Sequence, residues 1–167
     1  AIGLVASRGT FRVTREQQEA IDDRDRQRET QSRRSDFESR VHRALEMAKT
    51  EETLLGTVGK VLGEVVPGQP VELLLADSSR AHLRQAVSDE VHHGPGCPVA
   101  TPADCPAVNR GQTLVFESSE RFDACPHLRD RSGAPTSAVC VPVNVMGMAA
   151  GVLHSTGAVG GRPDTEK

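Results

Sequence analysis

The stretch "SAVCVPVNVMGMAAGVLHSTG", residues 137–157, decides the fold. Residues 137–143 and 148–156 are β-rich and largely apolar, and a Gly-containing turn at 144–147 separates them. Two such runs joined by a short turn predict an antiparallel hairpin. Working outward, "TLVFE" (113–117), a run at 82–87 and "VELLLAD" (71–77) read as further strands, with "DSSR" turning the chain between the last two. The segment 92–112 is rich in Gly and Pro and is expected to hold one short helix at 105–109. A loop follows "TLVFE" and runs through Cys125.

The N-terminal part has a different chemistry. Residues 14–34 contain no Gly or Pro, almost nothing apolar, and charges of alternating sign, so they predict a solvated helix. Asp22 with Arg26, Glu29 with Arg33 and Asp36 with Arg40 stand four apart with the acid first, the favourable order on a helix. A seam of Ile21, Arg28 and Ser35 is too polar for a conventional heptad core. A solvated extension and a parallel dimeric helix therefore both remain open. From Phe37 the pattern changes: Phe37, Val41, Ala44, Leu45 and Ala48 recur at helical spacing. After Thr50, an expected N-cap with Glu51 and Glu52 in the first turn, apolar residues continue through Val65 until "PGQP" stops the helix. Helices followed by mostly antiparallel strands make an α+β domain. The expected division is a charged linker helix over 1–36, a domain over 37–160 and a tail over 161–167.

Composition excludes several functions. Only 2% of residues are aromatic, with no Trp and no Tyr, and the net charge is −3, so neither base-stacking platforms nor a phosphate-attracting field is present. No nucleic-acid partner is expected. No apolar run approaches the roughly eighteen residues that span a bilayer. The opening "AIGLV" is apolar and begins without Met, and the end of a preceding membrane helix is one reading of it.

The hairpin resembles the terminal strand pair of GAF domains, in which a Ser opens a strand ending in Val-Pro-hydrophobic and the next strand carries Gly-Val-Leu. "TEETLL", "VELLLAD" and "NRGQTLVFES" fall upstream in the family's order, so the resemblance covers 37–157. It implies a sheet of five or six mostly antiparallel strands with helices at its back, preceded by a long signalling helix, and a ligand-sized pocket under irregular front loops. The cysteine-rich version, with "GCPV", "DCPAV", "ACPHL" and "SAVCVPV", is similar to the GAF sensory modules that precede diguanylate cyclase (GGDEF) domains in bacterial signalling proteins. That resemblance implies a non-catalytic regulatory sensor in the cytoplasm, with the parent protein soluble or membrane-anchored. It also implies a homodimer formed through the N-terminal helix, and an output domain in the same polypeptide. The alternatives are a GAF-type free methionine-R-sulfoxide reductase working through Cys thiols, and a pure dimerisation module. The Cys-His dipeptide of bilin-binding members and the Asn-Lys-Phe-Asp-Glu set of cyclic-nucleotide members are not found.

Within this frame the candidate site is made of sulfur. Cys97, Cys105 and Cys125 each precede a proline on an expected front loop, and Cys140 lies in the strand beneath. Their spacings of seven, nineteen and fourteen intervening residues match no standard zinc ribbon. Four readings stay open: thiolate ligands for zinc or an Fe-S cluster; a thiol redox switch; a haem or other ligand with a Cys-Pro thiolate or one of His92, His93, His127 and His154 as axial donor; and ordinary buried cysteines. His92 and His93 beside Glu90, and Arg121, Arg129 and Arg131 with Asp123 and Asp130, read most simply as solvated surface.

Overall fold

The computed structural model describes residues 3–88, 96–129, 131 and 133–160, with side chains from residue 15 onward except residue 16. By contacts the chain divides into two units, Ala1–Met47 and Ala48–Lys167. His92, His93, Glu90, Asp130 and the tail at 161–167 lie outside the described residues.

The first unit is one helix, α1 (Gly3–Glu46). It runs unbroken through the composition change at Phe37, because no Gly or Pro interrupts the chain from Thr14 to Ala48. Its surface carries ion pairs one turn apart: Arg33 with Glu29 at 2.6 Å, Arg34 with Glu38 at 3.0 Å and Arg15 with Glu19 at 3.2 Å. Of the expected pairs, Glu29–Arg33 forms; Arg26 meets Asp23, and Asp22 accepts from Gln18.

In the second unit, α2 (Glu51–Val65) begins at a capping box. The Thr50 hydroxyl accepts the Thr53 N–H at 3.2 Å while the Thr53 hydroxyl accepts the Thr50 N–H at 3.1 Å. Two amides that a helix start leaves without partners are thereby satisfied. Among the described residues five strands follow: β1 (Val71–Ala76), β2 (Leu83–Ser88), β3 (Leu114–Phe116), β4 (Thr136–Val145) and β5 (Met148–Ala158). All pairings are antiparallel, in the order β2-β1-β5-β4-β3. The β4–β5 turn is tighter than its sequence predicts. Only Met146 and Gly147 lie outside the strands, both with positive φ, 53° and 77°. Two consecutive left-handed residues make the type I′ turn whose twist matches that of the flanking strands.

Successive strand residues face opposite sides. Gly59 of α2 approaches Val87, whose partner across β1 is Leu73, so α2 lies on the Leu73 side of the sheet. The other side carries Leu74, Cys140 and Val152, packed with Leu83, Val99, Cys105, Ala107 and Val108. A smaller cluster of Cys125, Leu128 and Ala138 adjoins it, with Phe116 packed against both. Among the described residues no helix is long and apolar enough to cross a membrane.

Candidate functional site

The Cys-Pro steps shape the chain that covers the sheet. A proline biases the residue before it away from helical angles while itself fitting the first position of a helix. Cys105 is accordingly extended (φ −85°, ψ 113°) and caps the short helix α3 (Pro106–Arg110), its carbonyl accepting the Asn109 N–H at 2.9 Å. Cys125 does the same for α4 (Pro126–Arg129), accepting from Leu128 and Arg129 at 2.9 and 3.0 Å. The third step, Cys97-Pro98, belongs to a strap at 96–101 that is tied to β2 where Leu83 N–H donates to the Ala100 carbonyl at 2.7 Å. Sequence leads one to expect only α3; α4 and a 3₁₀ turn at Pro102–Asp104 add order to segments read as loop.

Beneath the strap, one register row of the sheet places Glu72 opposite His154 and His154 opposite Cys140. Directly opposed residues share a face and touch. The three residues are 6%, 4% and 8% exposed, so a carboxylate, an imidazole and a thiol stand together in the interior. Cys140 Sγ is 3.3 Å from His154 Nδ1, Arg131 Nη2 is 3.1 Å from Nε2, and Glu72 Oε1 is 4.0 Å from Nε2. Glu72 also accepts the Cys97 backbone N–H and, at 2.9 Å, the Gln85 amide. Gly96 makes this clamp feasible: a Cβ there would lie 2.7 Å from Glu72 Oε2.

Donor and acceptor identities fix the ring's protonation. Burial, and then the Arg131 charge, push the His154 pKa down to about 4, so the imidazole is neutral near pH 7. A guanidinium donates and never accepts, so Nε2 must carry the lone pair and Nδ1 the hydrogen. His154 therefore donates toward Cys140 Sγ and is not placed to withdraw its proton. Burial first, then the neighbouring cysteines, raise Cys140 above the ordinary thiol range, and burial likewise raises Cys97. Both remain protonated thiols near neutrality, and the thiolate is the reactive form.

All four cysteines line one cavity, together with His127, Arg131 and His154. The sequence candidates thus come to a single place, and none of the four thiols is in a disulfide. The cavity leaves about 10 Å³ for the centre of a water-sized sphere, room for roughly one water. Cys97, Cys105 and Cys140 belong to the larger apolar cluster and Cys125 to the smaller one. Among the described residues, no three His, Cys, Asp or Glu side chains stand close enough together to hold a metal ion as they are placed. His127 reaches the cavity, and its carbonyl accepts from Arg131 Nε at 3.2 Å.

Two residues escaped sequence reasoning. Arg131, read as surface charge, turns inward to His154, whereas Arg121 pairs with Glu117 and Asp123 and Arg129 bonds the Phe122 and Ala124 carbonyls. Glu72 carried a usable signal, a lone charge inside the apolar run "VELLLA".

No protein-family model matches the sequence, and no curated protein matches it. Solved structures do. The GAF domain of a phosphoenolpyruvate-protein phosphotransferase from Coxiella burnetii superposes with a TM-score of 0.55 at 12% identity, covering 74% of this chain and 76% of that one. The A. aeolicus Nlh2 GAF domain in an inactive state gives 0.53 at 18%, over 77% and 82%. Free methionine-R-sulfoxide reductase from Neisseria meningitidis, in complex with its substrate, gives 0.51 at 21%, over 70% and 68%. With its five-stranded antiparallel sheet, its helices and these neighbours, the chain has the α+β fold of GAF domains.

Proposed function

We propose that this chain is a non-catalytic regulatory sensor module whose input is received in the sulfur-lined cavity. One observation carries the reading: four cysteines from four separate segments line the same small void beneath the strap. By donor type the input is a single thiophilic metal ion, zinc first, with Cys97, Cys105, Cys125 and Cys140 as the sulfur donors; as placed, no three of them are close enough to hold an ion, so binding would have to draw the loops that carry them together. An Fe-S cluster or a haem is far larger than a void with room for roughly one water and would require the strap and α3 to move away. Burial holds the Cys97 and Cys140 thiols above their usual pKa range, which counts against a peroxide-sensing switch at these two positions and equally means that metal binding there would have to displace their protons. A reduced cytoplasmic setting suits unpaired thiols. Occupancy would bias the strap and sheet toward one arrangement, which is read by an output domain in the same polypeptide, a diguanylate cyclase by the sequence resemblance. α1 would serve as the connecting element and join two copies.

Catalysis as a methionine-R-sulfoxide reductase is the second reading, supported by the Neisseria neighbour. Such chemistry needs an activated thiolate. Here His154 presents an N–H to Cys140, and burial keeps both Cys97 and Cys140 protonated.

The test is elemental analysis of the reduced chain after exposure to Zn²⁺ and desalting, alongside a thiol count and an assay with free methionine sulfoxide. About one ion per chain, slowed thiol labelling and no turnover are expected. Metal-free protein with unchanged labelling would leave only a dimerisation module, and turnover would make the chain an enzyme.

A further inference from the structure

The sulfur-lined void is walled on one side by the strap, through Cys97 and Val99. How the strap is held therefore decides what reaches the thiols. Residues 96–101 form no helix or strand of their own. Val99 is buried and Cys97 half-buried, while Pro98 and Ala100 face outward. Among the described residues, the main chain of the strap is tied to the sheet at two points. One is the Leu83–Ala100 bond to β2, an edge strand, and the other is the Cys97 N–H on Glu72 Oε1.

The two ties differ in kind. The first joins two neutral backbone groups, whereas the second is charge-assisted and correspondingly stronger. Both oxygens of Glu72 are used, Oε1 by Cys97 and Oε2 by Gln85 Nε2 at 2.9 Å. One buried carboxylate thus joins β1, β2 and the strap. An acid at this depth is unfavourable unless its hydrogen bonds are met, so water must replace the Cys97 N–H whenever the strap lifts. Gly96 keeps the arrangement possible, since a Cβ there would press on Oε2 from 2.7 Å.

We propose that Glu72 is the latch of the strap, and that the strap opens as a local unit, giving solutes their way to Cys97, Cys105 and Cys140. These three thiols pack with Val99 in the larger cluster, so lifting the strap uncovers them together. Cys125 also lines the void, but its packing comes from Leu128 of α4 and Ala138 of β4, which the strap does not carry. It stays covered until the sheet unit itself unfolds. Local opening of this kind costs less free energy than global unfolding and exposes only the segment that moves. The role of the latch as an entrance rests on the cavity being the input site; the latch itself is measurable without any ligand.

The experiment is iodoacetamide alkylation of the reduced, metal-free chain, read at each cysteine by mass spectrometry, with exchange of the Cys97 amide hydrogen followed by NMR. Gly96→Ala drives a Cβ against Glu72 and should speed the Cys97 amide and the Cys97, Cys105 and Cys140 thiols by about 10–100-fold, the loss of one hydrogen bond to a charged group. Cys125 should not change. Glu72→Gln should have a much smaller effect, because it keeps an acceptor for Cys97 and Gln85 can turn its amide to match. In the wild type, urea well below the unfolding transition should speed Cys125 while leaving the other three nearly unchanged, a comparison that needs no variant should Gly96→Ala fail to fold. A Cys97 amide that exchanges as freely as an unfolded chain, unchanged rates in Gly96→Ala, or a parallel rise at all four thiols in either comparison overturns the latch. A working latch in a chain that takes up no Zn²⁺ removes the metal input alone. Zn²⁺ uptake by a chain whose strap is unlatched overturns this inference and leaves the input reading intact.

Discussion

α1 and the sheet-bearing unit are held by opposite means. The helix is stitched by contacts one turn apart on a solvated surface, such as Glu29–Arg33, whose side chains are 64% and 78% exposed. Each such pair contributes only about 0.2–0.5 kcal/mol and weakens with salt. The sheet unit instead gathers residues far apart in sequence, Glu72 with Cys97 and His154 with Cys140, into a dry interior where a single unmet group is expensive. Local stitching tolerates change and carries little information. A buried polar row is sensitive to any single group left unmet, which is what the proposed receiving site would require.

Substitutions should separate the two regions sharply. The largest effect belongs to Leu128, which is 2% exposed and packs with Cys125 and Ala138 in the smaller cluster. Leu128→Ala should lower unfolding stability by about 2–5 kcal/mol in urea titrations. A loss under about 1 kcal/mol would mean that α4 is not part of the core.

Next comes acid. The folded-state pKa of His154, about 4, is below its ordinary 6.5, so between those values the unfolded chain binds a proton that the folded chain refuses. Stability should therefore fall as pH drops from 6.5 toward 4, by about 3 kcal/mol in total from this residue. His154→Asn should show a shallower decline over that window; equal slopes in the two proteins would contradict a buried neutral imidazole.

How far the sequence disclosed these regions follows the same division. Elements that depend on neighbouring residues were legible: the hairpin around Gly147, the strand "VELLLA", the Thr50 cap and the α3 start at Cys105-Pro106. The four candidate cysteines could be named, but their meeting could not be read from irregular spacings. The importance of Glu72 arises from register, and that of Arg131 from a side chain between α4 and β4 that reaches back to His154. Only the pairing of β1 with β5 and of β5 with β4 sets a carboxylate, an imidazole and a thiol in one row. The change at Phe37 is one of composition alone; the backbone, meeting no breaker, continues as one helix to Glu46.

Smaller effects complete the contrast. Thr50→Ala removes one half of a reciprocal cap and should cost about 1 kcal/mol, with Thr53→Ala not fully additive to it because the two hydroxyls also bond each other at 3.0 Å. At the weak end, Glu29→Gln should change the thermal midpoint of the sheet unit within error and reduce helical signal only slightly, the difference vanishing in high salt. A large, salt-independent loss there would show that α1 is held by more than its local pairs.

The central claim is that the four sulfurs form one receiving site. Its most direct test is residue-resolved alkylation of the reduced chain by mass spectrometry, with and without one equivalent of Zn²⁺. The account predicts that Cys97, Cys105, Cys125 and Cys140 are protected together, and that Cys140→Ser releases the other three. Labelling rates unchanged by Zn²⁺ at all four positions, or protection of one cysteine alone, would contradict it.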